Sequence, residues 1–312
     1  MRAQARGLAE AVADAVVEKT VRVKAPWRWA PAWLGARPLD HLDPALDALS
    51  APWPDLIVTC GRRSAPLCVA VRRLSAGRTV GVHIQDPRLP PADFDLVVAL
   101  DHDRMAGAAN VIATATAMHD VTPQRLAAAA RDWGGRLDRL GRPLAGVLIG
   151  GSTRRRRFGP DETGKLISGL KRLRDEGGAG LAISPSRRTP PRVLAALAAA
   201  FGDDPRVFVW DRAGANPYLG ILALADRLVV TGDSVSMVSE AVATSHPVEV
   251  FDPDSERHER FVGQLVRCGR VRPFAGDPAP PPNAAPLNAT LEAAVAVRRI
   301  LQERTAVFGQ AS

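Results

Sequence analysis

The chain has 312 residues, 46% of them hydrophobic, which suits about two packed domains at ~100–200 residues each. A formal net charge of +8 and a pI near 10.3 favour anionic partners such as phosphates, nucleotides or an acidic membrane face. Three cysteines (Cys60, Cys68, Cys268) without CxxC spacing argue against a disulfide framework and a zinc site, and no run of ~18 apolar residues is present to span a membrane.

In chain order, residues 3–18 predict a helix and "TVRVKAP" a short strand. An α/β domain usually opens on a strand, so a start inside a helix predicts a missing first strand encoded upstream. "WRWAPAWLG" is a loop in which Trp27, Trp29 and Trp33 stand beside Lys24, Arg28 and Arg37. That grouping suits either an interfacial membrane patch or packing of the loop on its own domain. "DLIVTCG" predicts a buried strand stopped by Gly61, and "RRSAPLCVAVRRLSAG" the helix after it. "TVGVHIQDPR" and "FDLVVALDHDR" predict two more strands with polar exits, carrying His83, Asp86 and His102. "NVIATA" is extended, and Thr122-Pro123 opens a helix as N-cap and first position.

A second series starts near Pro143. The strand "LAGVLI" exits into Gly150, Gly151, Ser152 and Thr153, followed by four arginines. Glycines let backbone N–H groups approach an anion, and hydroxyls add hydrogen bonds, although this is no P-loop. An ordinary strand-exit turn fits that stretch as well. "GLAISPSRRTPP" exits into Ser186, Arg187, Arg188 and Thr189, which suit a bidentate grip on phosphate or an N-cap by Thr189. "RLVVTGDSVSMVSEAVATSHPVEVF" exits into Asp233 and Ser234, with Ser236 and Glu240 in the helix that follows. A carboxylate there can accept both hydroxyls of a ribose; equally, Asp233 can cap the helix and Glu240 face solvent. Three hydroxyl-rich exits in one domain favour a nucleotide site.

Alternating strands and helices predict an α/β protein with two parallel, Rossmann-like domains. The expected divisions are 1–141, 142–271, a Pro-rich crossover 272–290, and a helix in 291–312 returning to the first domain.

"NPYLGILALADRLVVTGDSVSMVSEAVATSHPVEVF", "GGSTRRRRF", "SPSRRTP", "VHIQDPR" and "APWRW" together resemble the mitochondrial fission (elongated-mitochondria) family over nearly the whole chain. That family in turn resembles glycosyltransferases of the two-Rossmann GT-B architecture. The resemblance implies a nucleotide sugar held by the second domain, with Glu240 of a Glu-Ala…Pro motif on the ribose; Ser245-His246 replace the usual Gly and its neighbour. It implies that Gly151, Ser152, Thr153, Ser186, Arg187, Arg188, Asp233, Ser234 and Ser236 surround the diphosphate, with no metal and no cofactor beyond the donor. The first domain then takes a lipid or other envelope acceptor, with His83 and Asp86 as catalytic base candidates, although His83 taken alone reads as a packing residue at a strand end. The expected setting is cytoplasmic and peripheral at the inner membrane, with no nucleic acid as partner. The alternative is a non-catalytic, membrane-associated scaffold on the same fold.

Overall fold

The computed structural model describes residues 1–25, 38–101, 105, 107–152, 158–251 and 256–309. They form two compact units, Met1–Asp120 with Asn288–Ser312 and Val121–Leu287.

In the first unit, α1 (Arg2–Val12) ends earlier than the expected residue 18. Beyond it Val16 and Val17 are exposed and the chain has no regular secondary structure. Val23 contributes only a single antiparallel bridge to Leu42 in place of a strand. Four parallel strands follow: β1 (Leu56–Cys60), β2 (Val80–Ile84), β3 (Leu96–Leu100) and β4 (Val111–Thr114), in the spatial order 1-2-3-4. The helix α2 (Ala65–Leu74) joins β1 to β2 and packs on one face of the sheet. The other face is covered by α1 and by the last helix, Ala289–Gly309, whose Ala289, Ala293, Ala294 and Val297 pack with Leu8, Val80, Val82 and Ile84. Arg304 of that helix donates to Asp95, which also accepts from Gly81 N (2.7 Å) and from Arg72 (2.9 and 3.1 Å).

The second unit begins with α3 (Pro123–Leu137), whose Thr122 cap accepts from Arg125 N at 3.2 Å. The strand series is β5 (Leu144–Ile149), β6 (Gly180–Pro185), β7 (Val207–Val209), β8 (Arg227–Thr231), β9 (Val248–Phe251) and the two-residue β10 (Arg272–Pro273). The intervening helices are α4 (Pro160–Asp175), α5 (Pro191–Phe201), α6 (Tyr218–Leu224), α7 (Val235–Val242) and α8 (Glu256–Arg267), the last not foreseen in the sequence. All strand pairs are parallel, in the order β10-β9-β8-β5-β6-β7. Read from β7, this is 3-2-1-4-5-6, the doubly wound order that reverses between β5 and β8. Every residue of β5, β6, β8 and β9 is buried, as expected of a sheet covered on both faces.

The unit boundaries differ from the expected 141/142 and 271/272. Helix α3 packs against α6, where Gly220 leaves no room for a Cβ beside Trp133, so α3 belongs to the second unit. The Pro-rich segment stays there because Arg227 donates to Asp277 O and Pro278 O, and Arg272 to Ala279 O. Both arginines also bind the buried Glu249.

Candidate functional site

In a doubly wound sheet, ligands bind outside the carboxyl ends of the strands at the point where the order reverses. Here that point lies between β5 and β8, and the loop after β6 adjoins it. Each of the three strands is buried to its last residue. Small or polar residues then take over: Gly150-Gly151-Ser152, Ser186-Arg187-Arg188 and Gly232-Asp233-Ser234.

The three exits are tied to one another. Gly150 N donates to Thr231 Oγ1 (2.7 Å), and Gly151 N to Asp233 Oδ2 (2.8 Å). Thr231 Oγ1 donates to Asp233 Oδ1 (2.6 Å), and a terminal nitrogen of Arg188 to Asp233 Oδ2 (3.0 Å). Ser186 Oγ donates to Gly150 O (2.7 Å) and accepts from Arg188 N (3.2 Å). Thr189 Oγ1 donates to Ile149 O (3.0 Å) and to Gly150 O. The approach is close enough that a Cβ on Gly150 would lie 2.2 Å from the Asp233 carboxylate, and one on Gly151 2.2 Å from Arg188 O. Glycine at 150 and 151 is therefore first a packing requirement.

These bonds reassign several expected roles. The Asp233 side chain is 5% exposed, with both oxygens engaged by the loops; it holds the platform together. Ser186 likewise links loops. Thr189 is buried and bonds to β5, while the α5 cap position falls to Pro190. Ser152 Oγ accepts from Phe158 N (3.1 Å), and Ser234 Oγ caps α7 by accepting from Met237 N (3.4 Å). Arg187 and Arg188 are exposed, as is Ser236 in the first turn of α7. Glu240 is half-buried on α7 and accepts from the hydroxyl of Tyr218, at the start of α6. Thr153 and the four arginines after it lie outside the described residues.

Three participants were not singled out from the sequence. Thr231 reads in the sequence as the first residue of the Thr-Gly-Asp-Ser stretch leaving the strand, with no role of its own, and in the structure it is the strand's last residue. Arg212 has a positive φ of 73° and donates to Thr189 O from the β7–α6 loop. Tyr218 carried a signal that was available: it is the chain's one tyrosine, placed after Asn216-Pro217.

In the first unit the base candidates fare differently. His83 is the fourth of five residues in β2, so the period-two alternation of a strand turns it onto the sheet face shared with α2. It is 0% exposed, with Nδ1 2.8 Å from Thr59 Oγ1 and its ring 5.4 Å from Phe94. Burial pushes its pKa down to about 4, against a small opposing pull from Asp86. His83 is therefore a neutral core residue and not a base at a strand exit. The exit begins at Gln85 (φ 79°), whose amide donates to Gln4 Oε1 at 3.0 Å. Asp86 closes its own turn, accepting from Arg88 N (2.9 Å) and pairing with Arg88 Nε (2.9 Å). His102, Trp27, Trp29 and Trp33 lie outside the described residues.

Among the described residues no group of three or more His, Cys, Asp or Glu is placed to hold a metal ion, and no helix is long and apolar enough to cross a membrane.

A family model described as "Mitochondrial fission ELM1" matches residues 1–301. A similar curated protein is the mitochondrial fission protein ELM1 of Arabidopsis thaliana, 32% identical over 277 residues, covering 80% of this chain and 65% of that protein. The chain thus spans just under two thirds of that relative's length. Among solved structures, the UDP-GlcNAc 2-epimerase of Methanocaldococcus jannaschii aligns with a TM-score of 0.54 at 12% identity, over 79% of this chain and 77% of that one. Another UDP-N-acetylglucosamine 2-epimerase aligns with 0.51 at 16% identity, over 83% and 74%. At these identities the likeness bears on fold alone, and the fold is the α/β, Rossmann-like GT-B type.

Proposed function

The chain belongs to the mitochondrial fission ELM1 family, and from that premise we propose that its second unit binds a nucleotide sugar at the β5/β8 switch point, for transfer to a cell-envelope acceptor. The observation that supports this most is the set of three strand exits bonded into one platform beside the N-terminus of α7. That helix end directs N–H groups and the positive end of its dipole outward, which favours a phosphate. Arg187 and Arg188 supply charge at the same edge. Glu240 lies five residues along α7 from Val235, roughly 8 Å at 1.5 Å per residue, and is the group that takes the ribose. Arginines and N–H groups then offset the charge of the leaving diphosphate. The acceptor is a lipid or other envelope component met at the membrane surface.

A second reading, a non-catalytic scaffold that retains the fold, is favoured by one observation: His83 is sealed in a core and offers no base. Calorimetry with UDP, ADP, GDP and their sugar derivatives, together with a chromatographic assay of donor consumption, separates the two. The transferase reading expects one diphosphate to bind below millimolar and its sugar derivative to turn over. Glu240→Ala is expected to weaken that binding by roughly 5–150-fold, the equivalent of ~1–3 kcal/mol for unpaired polar partners. Binding without turnover selects the scaffold; no binding at millimolar concentration removes the nucleotide reading altogether.

A further inference from the structure

Glu240 has a long side chain, and a carboxylate that is to meet two ribose hydroxyls must be held in one rotamer. The geometry points to Tyr218 as the residue that holds it, making Tyr218 a positioning residue that sets the preference of this site for ribonucleotides. The inference rests on the nucleotide reading of the site.

The helix that carries Tyr218 is fixed at three points. The N–H of Tyr218 donates to Asn216 Oδ1 at 3.0 Å, so the Asn-Pro turn sets where α6 begins. Two residues on, a Cβ on Gly220 would lie 2.6 Å from Trp133 of α3. One residue further, Ile221 Cγ2 comes within 2.5 Å of where a Cβ on Gly146 of β5 would stand. Helix α6 is thus seated directly on α3 and on the central strand of the sheet. From that seat the phenol reaches across to α7 and donates to Glu240 Oε2. Both partners are half-buried, so the bond is made where water competes poorly but a ligand can still arrive. A neutral hydroxyl donor orients the carboxylate without cancelling its charge, which leaves it an acceptor for hydroxyl groups.

The test uses the full chain and whichever of UDP, ADP and GDP binds most tightly, with its 2′,3′-dideoxy analogue. Tyr218→Phe removes only the hydroxyl. It is expected to weaken the ribonucleotide ~3–10-fold, the factor for ordering one rotamer-rich side chain, and to leave the dideoxy ligand unchanged. In the double variant Tyr218→Phe/Glu240→Ala the loss should equal that of Glu240→Ala alone, because the tyrosine acts through the carboxylate. A purely structural tyrosine would lower both ligands together, or add to the Glu240→Ala loss; either result overturns the proposal. If wild type prefers the ribonucleotide and Tyr218→Phe keeps that preference intact, Tyr218 has no such role while the nucleotide site stands. If wild type shows no ribose preference, the ribose role of Glu240 falls and the positioning role of Tyr218 with it.

Discussion

At the residue scale, burial of an ionisable group in the fold leaves a mark on the stability of the whole protein. His83 has a folded pKa of about 4, below its ordinary 6.5. On acidification the unfolded chain takes up the proton first. Stability from this residue is complete above pH 6.5 and is lost as pH falls from 6.5 to about 4, to a total of about 3 kcal/mol at 1.36 kcal/mol per pKa unit. His246 is also shifted down by burial and adds a slope of the same sign. The His83 share is therefore the difference between wild type and His83→Leu, measured by urea unfolding at pH 7, 5.5 and 4.5. Wild type is expected to lose stability more steeply; parallel slopes would show that the histidine is not buried neutral. The sequence marked His83 as chemistry because it reads as standing just past the strand's end, whereas it is one residue before the strand's last position, and side-chain direction at that point is invisible without the strand's exact end. Asp233 was legible as a polar residue at the right exit, but not its bonds to Gly151 and Arg188, since those partners are 82 and 45 positions away.

At the element scale, glycines in two helices of the second unit make opposite demands. Gly164 in α4 has nothing within 4 Å of where a Cβ would stand, whereas at Gly220 in α6 the nearest atoms are those of Trp133 at 2.6 Å. Alanine favours a helix over glycine by ~0.5–1 kcal/mol, while overpacking a filled contact costs ~1–3 kcal/mol. Gly164→Ala is thus expected to raise the thermal midpoint and Gly220→Ala to lower it, read by calorimetry under identical conditions. A rise in both would mean that α3 and α6 are not in close contact. The strand–helix series was readable because parallel strands buried on both faces read as short apolar runs with abrupt polar exits. Helix α8 escaped notice: its sequence, "ERHERFVGQLVR", is dominated by charge, and its few apolar residues, such as Phe261 and Leu265, find their place only against the sheet. The unit boundary was missed for a similar reason, since what assigns α3 is the α6 surface it meets.

At the scale of the whole molecule, the two units are threaded differently. The second is one continuous segment, Val121–Leu287, and the first is assembled from two, Met1–Asp120 and Asn288–Ser312. A chain ending at Leu287 therefore loses Ala289, Ala293, Ala294 and Val297 from the core that covers β2 and β3. It also loses the Arg304 donor to Asp95. Such a chain is expected to keep the unfolding transition of the second unit, and any nucleotide binding, while the first unit opens to rapid amide hydrogen exchange. Unchanged protection in β2 and β3 would show that the terminal helix is dispensable there.

The same threading has a consequence during synthesis. Residues 1–120 of the first unit leave the ribosome before those of the second, yet one face of their sheet has only α1 as cover until residue 289 and beyond have been made. At ~5–20 residues per second the intervening 121–287 segment takes roughly ten to thirty seconds to emerge. The later-made unit can therefore finish folding first, while Val80, Val82, Ile84, Leu96 and Val98 wait with the part of their hydrophobic surface that the terminal helix covers still open. Over that interval the nascent chain is a natural client for a chaperone that binds exposed aliphatic strands.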